Sequence, residues 1–274
     1  MSEPAPNFDF LLKLAKNASL RAGEEILKVY KSNNFGVQNK SDKSPLTIAD
    51  KAAHHKIVAL LKDSNLPILS EEGADIPFET RSKWDYFWMV DPLDGTKEFI
   101  KRNGEFTVNI ALIHNQKAIG GVIYVPVKDW LYFGLVGEGA FKIEDFKVES
   151  SKLNFLSFDL LKEVAMELPK ENNGTFKVVG SRSHMSPETE DFVEELKKEY
   201  GEIEVVSMGS SLKICLVAEG VANVYPRFAP TMEWDTAAGQ GIAVAAGKDI
   251  IDYKTGKTML YNREELLNNW FIVR

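Results

Sequence analysis

Cysteine is almost missing from this chain: Cys215 is its one copy in 274 residues, so no intramolecular disulfide forms and no thiolate cluster holds a metal. Histidine is scarce too, and His54, His55, His114 and His184 lack the spacing of a zinc site. No uninterrupted apolar segment approaches the ~20 residues that cross a bilayer, although peripheral attachment stays open. Met1 to Asn7 lack a basic start followed by an apolar stretch, and with the lone thiol this predicts a reducing, cytoplasmic setting. Basic charge is in deficit, 33 Lys and Arg against 40 Asp and Glu for a net charge of -7, which argues against general affinity for nucleic acid polymers. Anionic small molecules are still admitted, because bound divalent cations reverse the sign of an acidic site. Repeats and low-complexity tracts are also missing.

What is there is a large apolar fraction, 44%, enough to bury a sizeable core in one continuous unit with two lobes. Phe8 to Tyr30 carries its apolar residues at helical spacing, and a second helix is expected from Ile48 to Lys62. Strand-length apolar runs follow at Pro67 to Leu69, Tyr86 to Val90, Phe106 to Ile113, Ala118 to Val125 and Leu131 to Val136, which suggests an antiparallel sheet covered by helices. The second half reads as strand, helix, strand, helix, strand: Phe176 to Val179, Pro187 to Tyr200, Ile203 to Val206, Leu212 to Glu219, Val221 to Tyr225. Polar residues accumulate from Asp145 to Phe158. The lobes are therefore expected to be residues 1–150, α+β, and residues 151–274, mixed α/β. Trp84, Tyr86, Phe87 and Trp88 read as packing, and Cys215 as a small buried hydrophobe.

The densest chemistry lies in Asp91-Pro92-Leu93-Asp94-Gly95-Thr96, two carboxylates and a hydroxyl on one turn straight after an apolar run. Pro92 fixes one φ and Gly95 permits φ > 0. Magnesium takes oxygen ligands in near-octahedral geometry at roughly 2.1 Å, and Asp91, Asp94 and the Leu93 carbonyl suit it. Asp-Pro and Asp-Gly pairs also mark ordinary turns. Two further acidic groups, Glu71-Glu72 after an apolar run and Glu233-Trp234-Asp235 before a stretch of small residues, favour the metal reading; by itself, Asp235 would serve as a helix cap.

A Glu-Glu pair, then D-P-[LI]-D-G-T, then W-D near the end resembles the magnesium-dependent, lithium-sensitive phosphatases of the inositol monophosphatase superfamily, over nearly the whole chain. Asp91 to Ile110, Gly180-Ser181-Arg182-Ser183-His184 and Gly209-Ser210-Ser211-Leu212-Lys213 are similar to its CysQ-type 3'(2'),5'-bisphosphate nucleotidases. The resemblance implies an α+β fold layered α-β-α-β-α, and two or three Mg2+ ions for which Mn2+ can substitute. It places one ion on Glu71, Asp91 and the Leu93 carbonyl, and another on Asp91, Asp94 and Asp235. It assigns the orientation of the attacking water to Thr96 paired with Asp50, and a supporting role to Glu72. From the residues alone, Asp50 reads equally well as a helix-start cap.

The substrate implied is adenosine 3',5'-bisphosphate, hydrolysed to AMP and phosphate in support of sulfate assimilation, with adenosine 3'-phosphate 5'-phosphosulfate as a second substrate. Gly95 and Thr96 would offer backbone N–H groups to the phosphate. Lys97, Arg182, Ser210, Ser211, Lys213 and Arg227 are the candidates for a further phosphate, Ser181 and His184 belong to a substrate loop, and Glu233 would accept from the ribose hydroxyl. Monomer and homodimer both stay open, as does attachment to the cytoplasmic face of the inner membrane. Alternatives are inositol monophosphatase, inositol polyphosphate 1-phosphatase or fructose-1,6-bisphosphatase activity, and a nucleotide-binding protein without turnover. The haloacid dehalogenase motif D-x-D-G-T shares the ending Asp94-Gly95-Thr96, but Pro92 stands where its nucleophilic aspartate must be.

Overall fold

The computed structural model of the chain describes residues 6–32, 34–39, 45–73, 76–145, 157–170, 174–180 and 185–274. The first amphipathic run becomes α1 (Phe8–Lys31), capped by Asn7, whose Oδ1 accepts from the Phe10 N–H at 3.0 Å. A small ladder of β1 (Gln38–Asn39) with β2 (Pro45–Leu46) leads into α2 (Ile48–Leu61), which opens on a capping box formed by Thr47 and Asp50. Then come β3 (Ile68–Ser70), α3 (Phe78–Arg81), β4 (Tyr86–Asp94), α4 (Thr96–Ile100), β5 (Thr107–His114), β6 (Lys117–Val125), β7 (Trp130–Leu135) and β8 (Gly139–Ile143). The remainder is α5 (Phe158–Val164), β9 (Met166–Leu168), β10 (Phe176–Gly180), α6 (Pro187–Tyr200), β11 (Ile203–Ser207), α7 (Leu212–Ala218), β12 (Tyr225–Arg227), α8 (Glu233–Ala245), β13 (Ile250–Asp252) and β14 (Phe271–Val273).

Strands β3 to β9 form a seven-stranded sheet in sequence order. It is antiparallel except at its first pair, β3 with β4, which is parallel; the expected all-antiparallel sheet is corrected there. The short β3 carries no alternation from which its direction is legible, and α3 lies in the crossover. A second sheet has β12-β14-β13 joined to the parallel pair β10-β11 by a bridge between Val178 and Val224. The strand expected from Val221 to Tyr225 starts at Tyr225 instead, because Gly220, at φ 76°, ends α7 in a turn.

The layers follow from which face each apolar set buries. α1 and α2 cover one face of the large sheet around Leu12, Ile26, Ile57, Trp88 and Tyr124. α7 and α8 fill the space between the two sheets, and α6 covers the far side of the second sheet. The result is the expected α-β-α-β-α stack. Contact between α8 and β6 is backbone to backbone: a Cβ at Gly121 would lie 2.1 Å from the Ala238 carbonyl oxygen, and one at Gly241 would lie 2.5 Å from Gly120. The small residues after Asp235 thus press the start of α8 against the sheet. The expected lobe boundary falls mostly on residues 146–156, outside the described residues.

Candidate active site

Four elements end at one place. β3 delivers Glu71 beside β4, since the Glu71 N–H donates to the Val90 carbonyl at 3.1 Å. β4 continues through the Asp-Pro-Leu-Asp segment instead of turning at Val90, but its pairing slips: Asp91 faces Asn109, while Asp94 faces Thr107. In a regular strand residues i and i+3 point to opposite faces; the bulge, which Pro92 suits, removes that offset and brings Asp91 and Asp94 to the same side. Gly95, at φ 93°, then turns the chain into α4. α8 contributes Asp235 from its first turn, and α2 contributes Asp50 from its own.

The two readings of Asp50 are both realised, one per oxygen. Oδ2 accepts from the Thr47 N–H at 2.7 Å and from the Thr47 hydroxyl, closing the cap, while Oδ1 accepts from the Thr96 hydroxyl at 3.2 Å. The Leu93 carbonyl lies 3.4 Å from the same hydroxyl. Asp50 is buried, where a polar side chain needs hydrogen-bond partners. Half-buried Glu72 lies close enough to His54 to favour its protonated form, although burial and His55 together lower the His54 pKa.

Asp91 is buried, and its pKa is pushed well above the ordinary carboxylate range, first by desolvation and then by the charges of Glu71, Asp94 and Asp235; Glu71 also shares a hydrogen bond with it. Half-buried Asp235 is pushed upward by desolvation and by Asp94. Among the described residues no three acidic side chains stand at the spacing of a closed metal shell. Their hydrogen bonds explain why. Asp94 Oδ2 is held by the Ser211 N–H and hydroxyl, and Asp235 Oδ2 by the Met232 N–H, leaving one oxygen of each for another partner. Glu71, Asp91, Asp94 and Asp235 make a hard-oxygen donor set. Buried polar atoms next to it, Asn109 Oδ1, Thr107 Oγ1 and Ser210 Oγ, have no hydrogen-bond partner among the described atoms. The residues present therefore fit a divalent cation.

Protons and cations compete for these oxygens. The raised pKa values of Asp91 and Asp235 stabilise the cation-free protein below the unfolded carboxylate value near ~3.9, and that contribution fades as pH rises through the folded values. Added Mg2+ should accordingly raise Tm more at about pH 8 than at about pH 5, by roughly 3–6 °C for each tenfold gain in affinity. Differential scanning fluorimetry checks this; a shift independent of pH contradicts it.

A cleft of about 660 Å³ opens beside the cluster, lined among others by Asp94, Gly95, Ser210, Ser211, Lys213, Arg227 and Asp235, all expected from sequence. Arg227 donates from Nη2 to the Pro230 carbonyl and keeps a buried Nε without a partner among the described atoms. Other expected residues are engaged within the protein or lie off the cleft. Glu233 is fully buried and does not line the cleft: its carboxylate, pushed up to about 7 by burial, accepts from the Asn262 and Arg263 N–H groups and from the Arg263 side chain. It clamps the 262–263 segment. Lys97 is exposed and off the cleft, which runs along Glu98 and Lys101 of the same short helix and its end. Ser211, expected on substrate, spends its N–H and hydroxyl on Asp94. Ser181, Arg182 and His184 lie outside the described residues.

Sequence reasoning missed Asn109, whose Nδ2 donates to Ser211 Oγ at 2.8 Å, and Glu105, which accepts from the Gly209 N–H at 2.8 Å and ties the 209–211 loop to the cluster. A signal existed: Thr107 and Asn109 are polar residues two apart in an otherwise apolar run. Tyr225 and Phe228 on the cleft wall had none.

The profile of the inositol monophosphatase family matches residues 8–272. The 3'(2'),5'-bisphosphate nucleotidase CysQ of Salmonella typhimurium is 44% identical over 265 residues, covering 95% of this chain and 96% of its own. Escherichia coli K12 CysQ is 44% identical over 270 residues, 97% and 98% of the two chains. Among solved structures, CysQ from Bacteroides thetaiotaomicron, described as a bacterial member of the same family, superposes with a TM-score of 0.86 at 49% identity, covering 98% of each chain.

Proposed function

The chain belongs to the inositol monophosphatase family, and we infer from that membership and from its CysQ relatives that it is a phosphatase of the 3'(2'),5'-bisphosphate nucleotidase type. Adenosine 3',5'-bisphosphate is the substrate, cleaved to AMP and phosphate; adenosine 3'-phosphate 5'-phosphosulfate, cleaved to adenosine 5'-phosphosulfate, is a second. Removal of such by-products serves sulfate assimilation. The observation that carries the reading is the hydrogen bond from Thr96 to Asp50 beside the four-carboxylate cluster.

Glu71, Asp91, the Leu93 carbonyl, Asp94 and Asp235 would hold two or three Mg2+ ions. When bound, such ions lower the pKa of water and offset charge on phosphoryl and leaving oxygens. Thr96, its proton directed at Asp50, turns a lone pair toward the attacking water and takes up one of its protons as the new P–O bond forms; Asp50 accepts the proton that Thr96 releases. The P–O3' bond breaks, the leaving oxygen takes a proton from solvent water to become the ribose hydroxyl, and Asp50 returns the proton it accepted to solvent. Asp94, Gly95 and Ser210 line the end of the cleft nearest the cluster, so the ester belongs there and the nucleoside extends toward Lys213 and Arg227.

The family's inositol phosphatases share the cluster, so the leaving-group contacts decide the substrate. Arg227→Ala should raise KM for adenosine 3',5'-bisphosphate about 10- to 100-fold, the cost of a charged hydrogen bond at about 1.5–3 kcal/mol, while a small generic phosphate ester is little affected. Magnesium-dependent phosphate release, compared between the bisphosphate nucleotide and inositol phosphates, tests the reading. Preference for the nucleotide is expected, whereas preference for inositol phosphates would overturn it. The single buried thiol, Cys215, suits a reducing cytoplasm, and no helix among the described residues is long and apolar enough to cross a membrane.

A further inference from the structure

β5 is buried along nearly its whole length, and most of its residues are apolar. Two are not. Asn109 is 1% exposed and Thr107 fully buried, and two residues apart on one strand they share a face. The pairing with β4 sets Asn109 directly across from Asp91 and Thr107 across from Asp94. Asn109 Nδ2 donates to Ser211 Oγ at 2.8 Å and approaches Asp94 Oδ2 at 3.4 Å. The amide orientation is fixed by chemistry, since an ionised Asp94 only accepts and so requires the NH2 side to face it.

Ser211 has one hydroxyl proton for two acceptors, Asp94 Oδ2 and the Asp235 carbonyl, the latter at 2.8 Å. By donating to Ser211 Oγ, Asn109 fills a lone pair and directs that proton toward the acceptors. The resulting chain links two carboxylate-bearing segments that lie more than a hundred residues apart in the sequence. Asn109 Oδ1 and Thr107 Oγ1 remain buried without a hydrogen-bond partner among the described atoms. A buried amide oxygen left so costs roughly 1–3 kcal/mol and calls for a donor such as an ordered water or an ion's hydration shell. The residue facing Asn109 on β4 is Asp91; with a cation on that carboxylate no proton is left there to donate, and the cation's hydration waters are the donors that remain.

We propose that Asn109 is a positioning residue for the cation: its Nδ2 holds Asp94 and the start of α8 in register through Ser211, and its Oδ1 accepts from the cation's water shell. This rests on the divalent-cation reading above. Groups that orient ligands in this way typically contribute 10- to 100-fold in metal affinity. The test is Mn2+ binding to cation-free protein, followed by electron paramagnetic resonance, for wild type, Asn109→Ala, Ser211→Ala and the double variant. Wild type that binds no Mn2+ defeats the cation reading itself. Given wild-type binding, each single variant should weaken Mn2+ about 10-fold or more, and the double variant should be no worse than roughly the weaker single, because both act through one chain. In Asn109→Ala, a site off the cleft lining, KM for the nucleotide at saturating Mn2+ should stay within about twofold, which a general loss of structure would not allow. Unchanged Mn2+ affinity in Asn109→Ala, additive effects, or a loss confined to nucleotide KM would overturn the proposal; should Asn109→Ala not fold, unchanged affinity in Ser211→Ala does so alone.

Discussion

Replacing Asp94 by asparagine should remove nearly all turnover and leave the fold intact. The carboxylate uses one oxygen inside the protein, accepting from the Ser211 N–H at 2.6 Å and from the Ser211 hydroxyl. An asparagine keeps that acceptor by placing its amide oxygen there, so the tether to Ser211 survives. Its NH2 then replaces the other oxygen and faces the cluster as a donor. A cation finds one negative charge fewer and a group that cannot ligate it. Loss of several kcal/mol of charge stabilisation corresponds to a fall in kcat of about 1,000-fold or more. The variant should be no less stable than wild type without added cation, because Asp94 is one of the charges that raise the Asp91 and Asp235 pKa values. Its rise in Tm on adding Mg2+ should be much smaller. Wild-type kcat in Asp94→Asn would remove Asp94 from the cation site.

Thr96→Ala should reduce kcat by about 100- to 10,000-fold, the range for a positioned proton-transfer group, with a much smaller change in KM. The hydroxyl touches Asp50 at 3.2 Å, and α4 begins at Thr96 without using its side chain as a cap. The methyl group left by alanine therefore disturbs neither helix. Orientation of the attacking water matters chiefly in the transition state, which is why kcat carries the effect. Thr96→Ser retains the hydroxyl and should keep most activity. Equal losses in the serine and alanine variants would point to packing of the threonine methyl instead. Steady-state kinetics of phosphate release at saturating Mg2+ separates the two cases.

The acidic segments were legible because carboxylates stand where apolar runs meet the next element: Glu71, Asp91, Asp94 and Asp235 are read from the sequence and found around one another. Backbone geometry was less legible. Asp91 and Asp94 looked like two sides of a turn, whereas a strand with an extra residue brings them together, and a bulge leaves no pattern in a nine-residue buried run. Glu233 neighbours Asp235 in sequence but is buried away from the cleft. Two residues along an α-helix differ by about 200°, so one carboxylate facing the cleft puts the other in the core. The small residues from Ala237 to Gly241 gave a helix's composition but not its partner; the close approach to β6 depends on Gly120 and Gly121, more than a hundred residues earlier. β13 and β14 escaped because three-residue strands carry no period to read. Asp50 shows why local signals mislead by being true: its cap is real, and the second oxygen accepts from Thr96.

Anomalous diffraction at the manganese edge, from crystals soaked in Mn2+, tests most directly whether these carboxylates share cations. The expected result is one or more strong peaks within bonding distance, roughly 2.1–2.3 Å, of oxygens from Asp91 and at least two of Glu71, Asp94 and Asp235. Crystals saturated with Mn2+ that show no peak there, or peaks only on other surface carboxylates, would contradict it.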